Sequence, residues 1–152
     1  MDLYDEFASI IATLEDAGVP YAVCGGMAMA IHGFPRATID VDLLVPIEAA
    51  DGVFATVRPL GYDLVADPMT FADGAVEMRR VTKVDPAAGD LLSLDLVLVT
   101  PAAAASWESR MRVAWERGEL TVVSRPGLVA LKMLRGSGQD QDDIRNLEGV
   151  DP

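Results

Sequence analysis

The chain has 152 residues, 51% hydrophobic and 24% charged, which is enough to bury one core and excludes a disordered or low-complexity chain. Twelve Lys and Arg against 24 Asp and Glu leave a formal charge of -12, so general DNA or RNA binding and attraction to anionic lipid are excluded. The single cysteine, Cys24, precludes an internal disulfide, and no secretory signal precedes the polar start, so the protein reads as cytoplasmic. Apolar runs such as 91–99, broken by Ser93 and Asp95, fall short of the roughly twenty residues that cross a bilayer, and no membrane span is expected.

Leu3, Phe7, Ile10, Ile11 and Leu14 recur at helical spacing, and Gly18 with Pro20 stops the pattern. A short strand over 21–24 enters Gly25-Gly26, and a short helix over 27–32 ends at Gly33 and Pro35. Residues 39–45 alternate apolar and acidic residues, the mark of a strand with Ile39, Val41 and Leu43 on one face and Asp40 and Asp42 on the other. Ala50, Val53, Phe54 and Val57 fit a second amphipathic helix, followed by a strand at 62–65 and a loop marked by Asp67-Pro68 and Asp73-Gly74. Strands at 76–81 and 92–99 flank the turn-rich segment 85–90, and a short helix follows at 101–109. The segment 111–115, a turn at Gly118, a strand at 120–123 and an apolar helix at 126–135 complete the pattern, before a hinge at Gly136-Ser137-Gly138 and a last helix with Asp140 as its N-cap. With no repeat or long linker, residues 1–152 read as one α/β (α+β) domain whose short mixed sheet has five or six strands flanked by helices.

Asp40 and Asp42 share a strand face, so two carboxylates occupy one small space. Their repulsion forces one to take up a proton unless a cation lies between them. Mg²⁺, which uses one or two carboxylates together with water and phosphate oxygens, suits the pair, and Asp95, opposite the leucines of its own strand, offers a third acid. Gly25 and Gly26, at a strand end, let a phosphate approach the backbone closely.

Val23-Cys24-Gly25-Gly26, then Arg36-Ala37-Thr38-Ile39-Asp40-Val41-Asp42, then Asp95 on a later strand together resemble the nucleotidyltransferase fold of the DNA polymerase β superfamily. Gly-Gly-x-Ala with Arg-x-Thr-x-Asp-x-Asp is most similar to bacterial AbiEii-type toxins and their single-domain relatives, and the C-terminal residues 128–133 and 139–144 resemble their ending. The likeness runs from about residue 21 to 147. It implies that Asp40, Asp42 and Asp95 hold two Mg²⁺ ions bridging a nucleoside triphosphate such as ATP, that Asp95 takes the proton of the attacking hydroxyl, and that Gly25 and Gly26 cradle the triphosphate. It also implies a nucleoside monophosphate transfer to an acceptor that is a protein side chain, a small molecule or an RNA end, and a toxin-like role with a cognate antitoxin or partner protein. A non-catalytic nucleotide-binding or antitoxin-like interaction module of the same fold is the alternative.

Around this core, Lys132 in an apolar helical run is either a snorkelling side chain or a phosphate contact. Arg36 pairs with phosphate or with a nearby acid, and Thr38 hydrogen-bonds in the site or is an ordinary strand threonine. Asp142 and Asp143 belong to the site or simply answer the helix dipole. His32, Cys24, Trp107 and Trp115 read as packing residues, and Arg79, Arg80 and Lys83 as a solvated basic face with some capacity to hold an acceptor's phosphates.

Overall fold

The structure, a computed structural model, describes residues 1–136 and 138–149. Its elements in chain order are α1 (Leu3–Ala17), β1 (Ala22–Cys24), α2 (Gly25–Ile31), β2 (Asp40–Val45), α3 (Ala50–Val57), β3 (Tyr62–Val65), β4 (Met69–Phe71), β5 (Val76–Asp85), β6 (Asp90–Leu98), α4 (Ala104–Glu108), β7 (Met111–Trp115), β8 (Gly118–Val122), α5 (Arg125–Arg135) and α6 (Gly138–Glu148). One mixed sheet runs β3-β5-β6-β2-β1-β8-β7, with β4 also paired to β5.

That sheet has eight strands where the sequence predicted five or six. The surplus comes from β4, in the segment read as a loop, and from β7, whose period was indistinct. Three residues are too few for an alternation, and β4 is a strand because Met69, Thr70 and Phe71 pair with Met78, Glu77 and Val76 across a tight turn.

Register decides which residues share a face. The parallel pair β2–β6 sets Val41 beside Leu94 and Leu43 beside Leu96, all fully buried, while Asp42 stands beside Asp95 on the opposite face. The apolar face continues into β5 through Val81 and Arg79, and Arg79 lies over the ring of Phe54 from α3, so α3 covers this side. Phe7, Ile10, Ile11 and Leu14 of α1 join the same core, and Glu6 of α1 accepts hydrogen bonds from Tyr62 Oη and Lys83 Nζ. Ile39, expected beside Val41 and Leu43, is 82% exposed, because the ladder begins one residue later at Asp40. His32, Cys24, Trp107 and Trp115 pack as expected: His32 Nε2 hydrogen-bonds Val123 O, Cys24 is buried, and Trp115 meets Phe7 edge to face.

On the acidic face, α5 is capped by the Ser124 hydroxyl, which accepts from Gly127 N, and it buries Leu128, Leu131 and Lys132. α6 begins at Gly138, so Asp140 lies inside its first turn as a buried acid, and the expected N-cap role is not met; Ser137, in the expected hinge, lies outside the described residues. Lys132 Nζ stands 2.9 Å from Asp143 Oδ2 and 3.8 Å from Asp140 Oδ1, and all three side chains are buried. Arg36 also donates to Asp143 through Nε and Nη2, and Gln139 Nε2 through a further bond. Burial alone would raise the Asp143 carboxyl, but Lys132, Arg36 and Gln139 outweigh it and hold it below the usual carboxylate range.

Two outcomes follow from this buried network. Asp143→Ala leaves the buried Lys132 ammonium with only the 3.8 Å approach of Asp140 and is expected to cost about 3–5 kcal/mol in urea unfolding, with Lys132→Met in the same chain recovering part of it. Because the folded carboxyl titrates below its unfolded value, its stabilisation is complete above about pH 4 and is lost as pH falls further. The difference in Tm between the wild type and Asp143→Asn therefore narrows from pH 7 to pH 3, and a constant difference would contradict the assignment.

Candidate active site

Asp40 and Asp42 project from β2, and Asp95 projects from the adjoining β6, because the parallel register places Asp42 and Asp95 side by side. Asp95 is 3% exposed, and the Asp40 side chain is one-third exposed. Among the described residues, the Asp42 carboxylate has no hydrogen bond or ion pair. Burial first, and then the charge of Asp95, pushes the Asp42 carboxyl up to about 7 against the pull of Arg135 and Lys132. The Asp40 carboxyl is raised by the same two causes, opposed by Arg80 and Arg135.

The glycine pair is packed against these groups. Gly25 has φ +65°, and a Cβ there would lie 2.1 Å from Asp42 Oδ2; a Cβ on Gly26 would lie 2.6 Å from Thr38 Oγ1. Only glycine lets the β1–α2 turn approach both side chains this closely. Thr38 Oγ1 donates to the Asp40 carbonyl at 3.2 Å, which ties the turn before β2 to the start of that strand.

A cavity of about 620 Å³ opens over this arrangement. Gly25, Gly26, Thr38, Asp40, Asp42 and Asp95 line it together with three arginines, Arg36, Arg80 and Arg135, and with the apolar side chains of Ile39, Met69, Phe71 and Met78. Of the residues singled out in the sequence, Gly25, Gly26, Arg36, Thr38, Asp40, Asp42 and Asp95 therefore come together here. Lys132 lies outside the lining, its ammonium committed to Asp143 and Asp140, and Asp142 is exposed beside Arg145.

Arg80 is the residue that sequence reading missed. The sequence alone puts it on a solvated basic face, but Arg79, Arg80 and Lys83 divide between the two faces of β5, and Arg80 turns toward the acids. Its Nε donates to Asp95 Oδ1 at 2.6 Å and its Nη2 to Asp95 Oδ2 at 2.9 Å, and Nη2 stands 4.0 Å from Asp40 Oδ2. The signal was present in the hairpin: stepping five residues back from each end of the Asp85–Asp90 pair brings Arg80 opposite Asp95. Arg135, at the end of α5, was missed as well, since its approach to the cavity depends on where α5 docks.

The donor set suits a hard divalent cation at Asp40 and Asp42: two carboxylates, one without any protein partner, at the edge of a cavity with room for water and phosphate oxygens. Among the described residues, however, no three acidic, histidine or cysteine side chains stand in metal-holding geometry. Arg80 has drawn both oxygens of Asp95 to itself.

No protein-family model matches the chain, and no curated protein matches its sequence. Solved structures match its fold. A candidate nucleotidyltransferase from Thermotoga maritima superposes with a TM-score of 0.65 at 12% identity, over 95% of this chain and 91% of that one. The lincosamide antibiotic adenylyltransferase LnuA, with lincomycin bound, gives 0.59 at 14% identity over 97% of each chain. The antibiotic-resistance factor ANT(2'')-Ia in complex with adenylyl-2''-tobramycin gives 0.64 at 16% identity, over 93% of this chain and 84% of that one. The chain has the nucleotidyltransferase fold, a mixed sheet flanked by helices. No helix among the described residues is long and apolar enough to cross a membrane.

The packing of the glycine turn against Asp42 is open to direct test. Gly25→Ala combines left-handed backbone strain with a clash on a carboxylate and should lower stability by about 2–4 kcal/mol in chemical unfolding. Gly52→Ala, in the open surface of α3, should leave stability unchanged or raise it by up to about 1 kcal/mol. Equal losses at the two positions would show that Gly25 is not pressed against Asp42.

Proposed function

We propose that the chain is a metal-dependent nucleotidyltransferase that moves a nucleoside monophosphate from a nucleoside triphosphate to an acceptor hydroxyl. The observation that carries this reading is the placement of Asp40, Asp42 and Asp95 on one face of neighbouring strands, against a glycine turn that leaves a cavity open above them. Asp40 and Asp42 are the residues that hold a divalent cation, which supplies charge neutralisation for the phosphate oxygens as the transfer proceeds. Gly25 and Gly26 admit the triphosphate close to the backbone, and Arg36 and Arg135 add positive charge at the cavity. The acceptor oxygen attacks the α-phosphorus, the bond from that phosphorus to the bridging oxygen breaks, and pyrophosphate leaves. The acceptor's proton passes to a carboxylate of the cluster; the family resemblance gives that role to Asp95, which would have to release one of its two Arg80 donors to take it. Positioning and electrostatics supply most of the acceleration in such transfers.

The acceptor is a protein side chain, a small molecule or an RNA end, and the net charge of -12 weighs against RNA. The finer reading, an AbiEii-like bacterial toxin component acting with a cognate partner, is supported by Gly25-Gly26-x-Ala28 and by Arg36-x-Thr38-x-Asp40-x-Asp42. Calorimetric titration with ATP, GTP, CTP and UTP in the presence of Mg²⁺ tests the proposal. At least one nucleotide should bind, its binding should disappear with EDTA, and Asp42→Ala should weaken it by ~100-fold or more. No binding of any nucleotide would favour a non-catalytic interaction module instead.

A further inference from the structure

Arg80 changes what the three carboxylates can hold. Among the described residues it is the only cation within ion-pair distance of Asp40, Asp42 or Asp95. Its guanidinium meets Asp95 as a fork, with one nitrogen on each carboxylate oxygen, and both partners are fixed from below, because Arg80 and Asp95 are directly opposite in the β5–β6 ladder. A divalent cation on Asp95 would have to displace those donors from a nearly buried carboxylate and then stand beside a permanently charged guanidinium. Asp42 has no such occupant, and Asp40 has only the 4.0 Å approach of Nη2.

We infer that Arg80 is the chain's own counter-ion for Asp95, standing where a second metal ion would bind, so that the site takes one divalent cation, on Asp40 and Asp42. This rests on the nucleotidyltransferase reading but departs from the two ions that the family resemblance implies. One guanidinium and one divalent cation together balance three carboxylates. The Arg80 side chain is 37% exposed and lines the cavity, so the triphosphate meets an arginine beside Asp95 in place of an ion. Arg80 thereby becomes a positioning residue that holds Asp95 and defines where the single cation lies.

Mn²⁺ binding to the full chain without nucleotide, counted by the loss of the free-ion EPR signal, tests this without relying on activity. The wild type should bind one Mn²⁺. Asp42→Asn should abolish that binding, whereas Asp95→Asn, which removes a neighbouring charge but no ligand, should leave the count at one and weaken the affinity by about tenfold at most. Arg80→Met, which frees Asp95 and removes a positive charge a few ångströms from the cation, should admit a second Mn²⁺ or tighten the first by about tenfold or more. Arg80→Lys, which keeps the charge, should stay at one. Two ions in the wild type, or a loss in Asp95→Asn as complete as that in Asp42→Asn, would overturn the inference and leave the proposed reaction standing. Absence of Mn²⁺ binding in the wild type without nucleotide would overturn the inference, and its absence with ATP present as well would overturn the proposed reaction too. The wild-type count needs no variant, so it decides the matter even if a substitution at Asp95 fails to fold.

Discussion

Three like charges held on one face of two adjacent strands are the constraint around which this protein is built. A parallel register that sets Asp42 beside Asp95 cannot be relaxed by a side-chain rotation, because the same register buries Val41, Leu43, Leu94 and Leu96 on the other face. A slip of one residue would expose that core. The repulsion must therefore be met locally, and each acid meets it differently: Asp95 through Arg80, Asp40 through partial exposure and the more distant Nη2 of Arg80, and Asp42 through a raised affinity for its proton. An acid left without a protein partner at the edge of a cavity is one mark of a site that binds something.

The layers around the sheet serve this arrangement. On one side α1 and α3 seal the apolar face, and the polar links of α1 to β3 and β5, through Glu6 with Tyr62 and Lys83, hold the far strands against that helix. On the other side α5 and α6 are clamped by Lys132 between Asp140 and Asp143, and Arg36, from the segment leading into β2, joins the same clamp. The buried ion network therefore connects the C-terminal helices to the loop that carries Thr38 toward Gly26. Arg135, one turn beyond Lys132 in α5, reaches the cavity because of that docking. Stability and site geometry share these residues, so a change at Asp143 acts on both.

Much of this was legible from the chain alone, where a short-range pattern carries the information. The alternation in Asp40–Val45 fixes the face of both acids, the leucines flanking Asp95 fix its face, and the adjacent glycines mark a close approach whose object, Asp42 and Thr38, only the folded chain reveals. What escaped depends on pairing between distant segments. Arg80 looks like part of a basic surface until the hairpin register puts it across from Asp95, and Lys132 looks like a phosphate ligand until α6 folds over it with two buried acids. β4 carries no periodic signal of its own, and Ile39 falls one position before the ladder begins, where the alternation no longer has a sheet to obey.

The most direct test of the whole account is a crystal soaked with Mn²⁺ and a non-hydrolysable ATP analogue and measured at the manganese edge. The account predicts an anomalous peak between the carboxylates of Asp40 and Asp42, with the triphosphate against Gly25 and Gly26 and Arg80 still paired with Asp95. A nucleotide bound away from the glycine turn, or manganese bound without contact to Asp42, would contradict it.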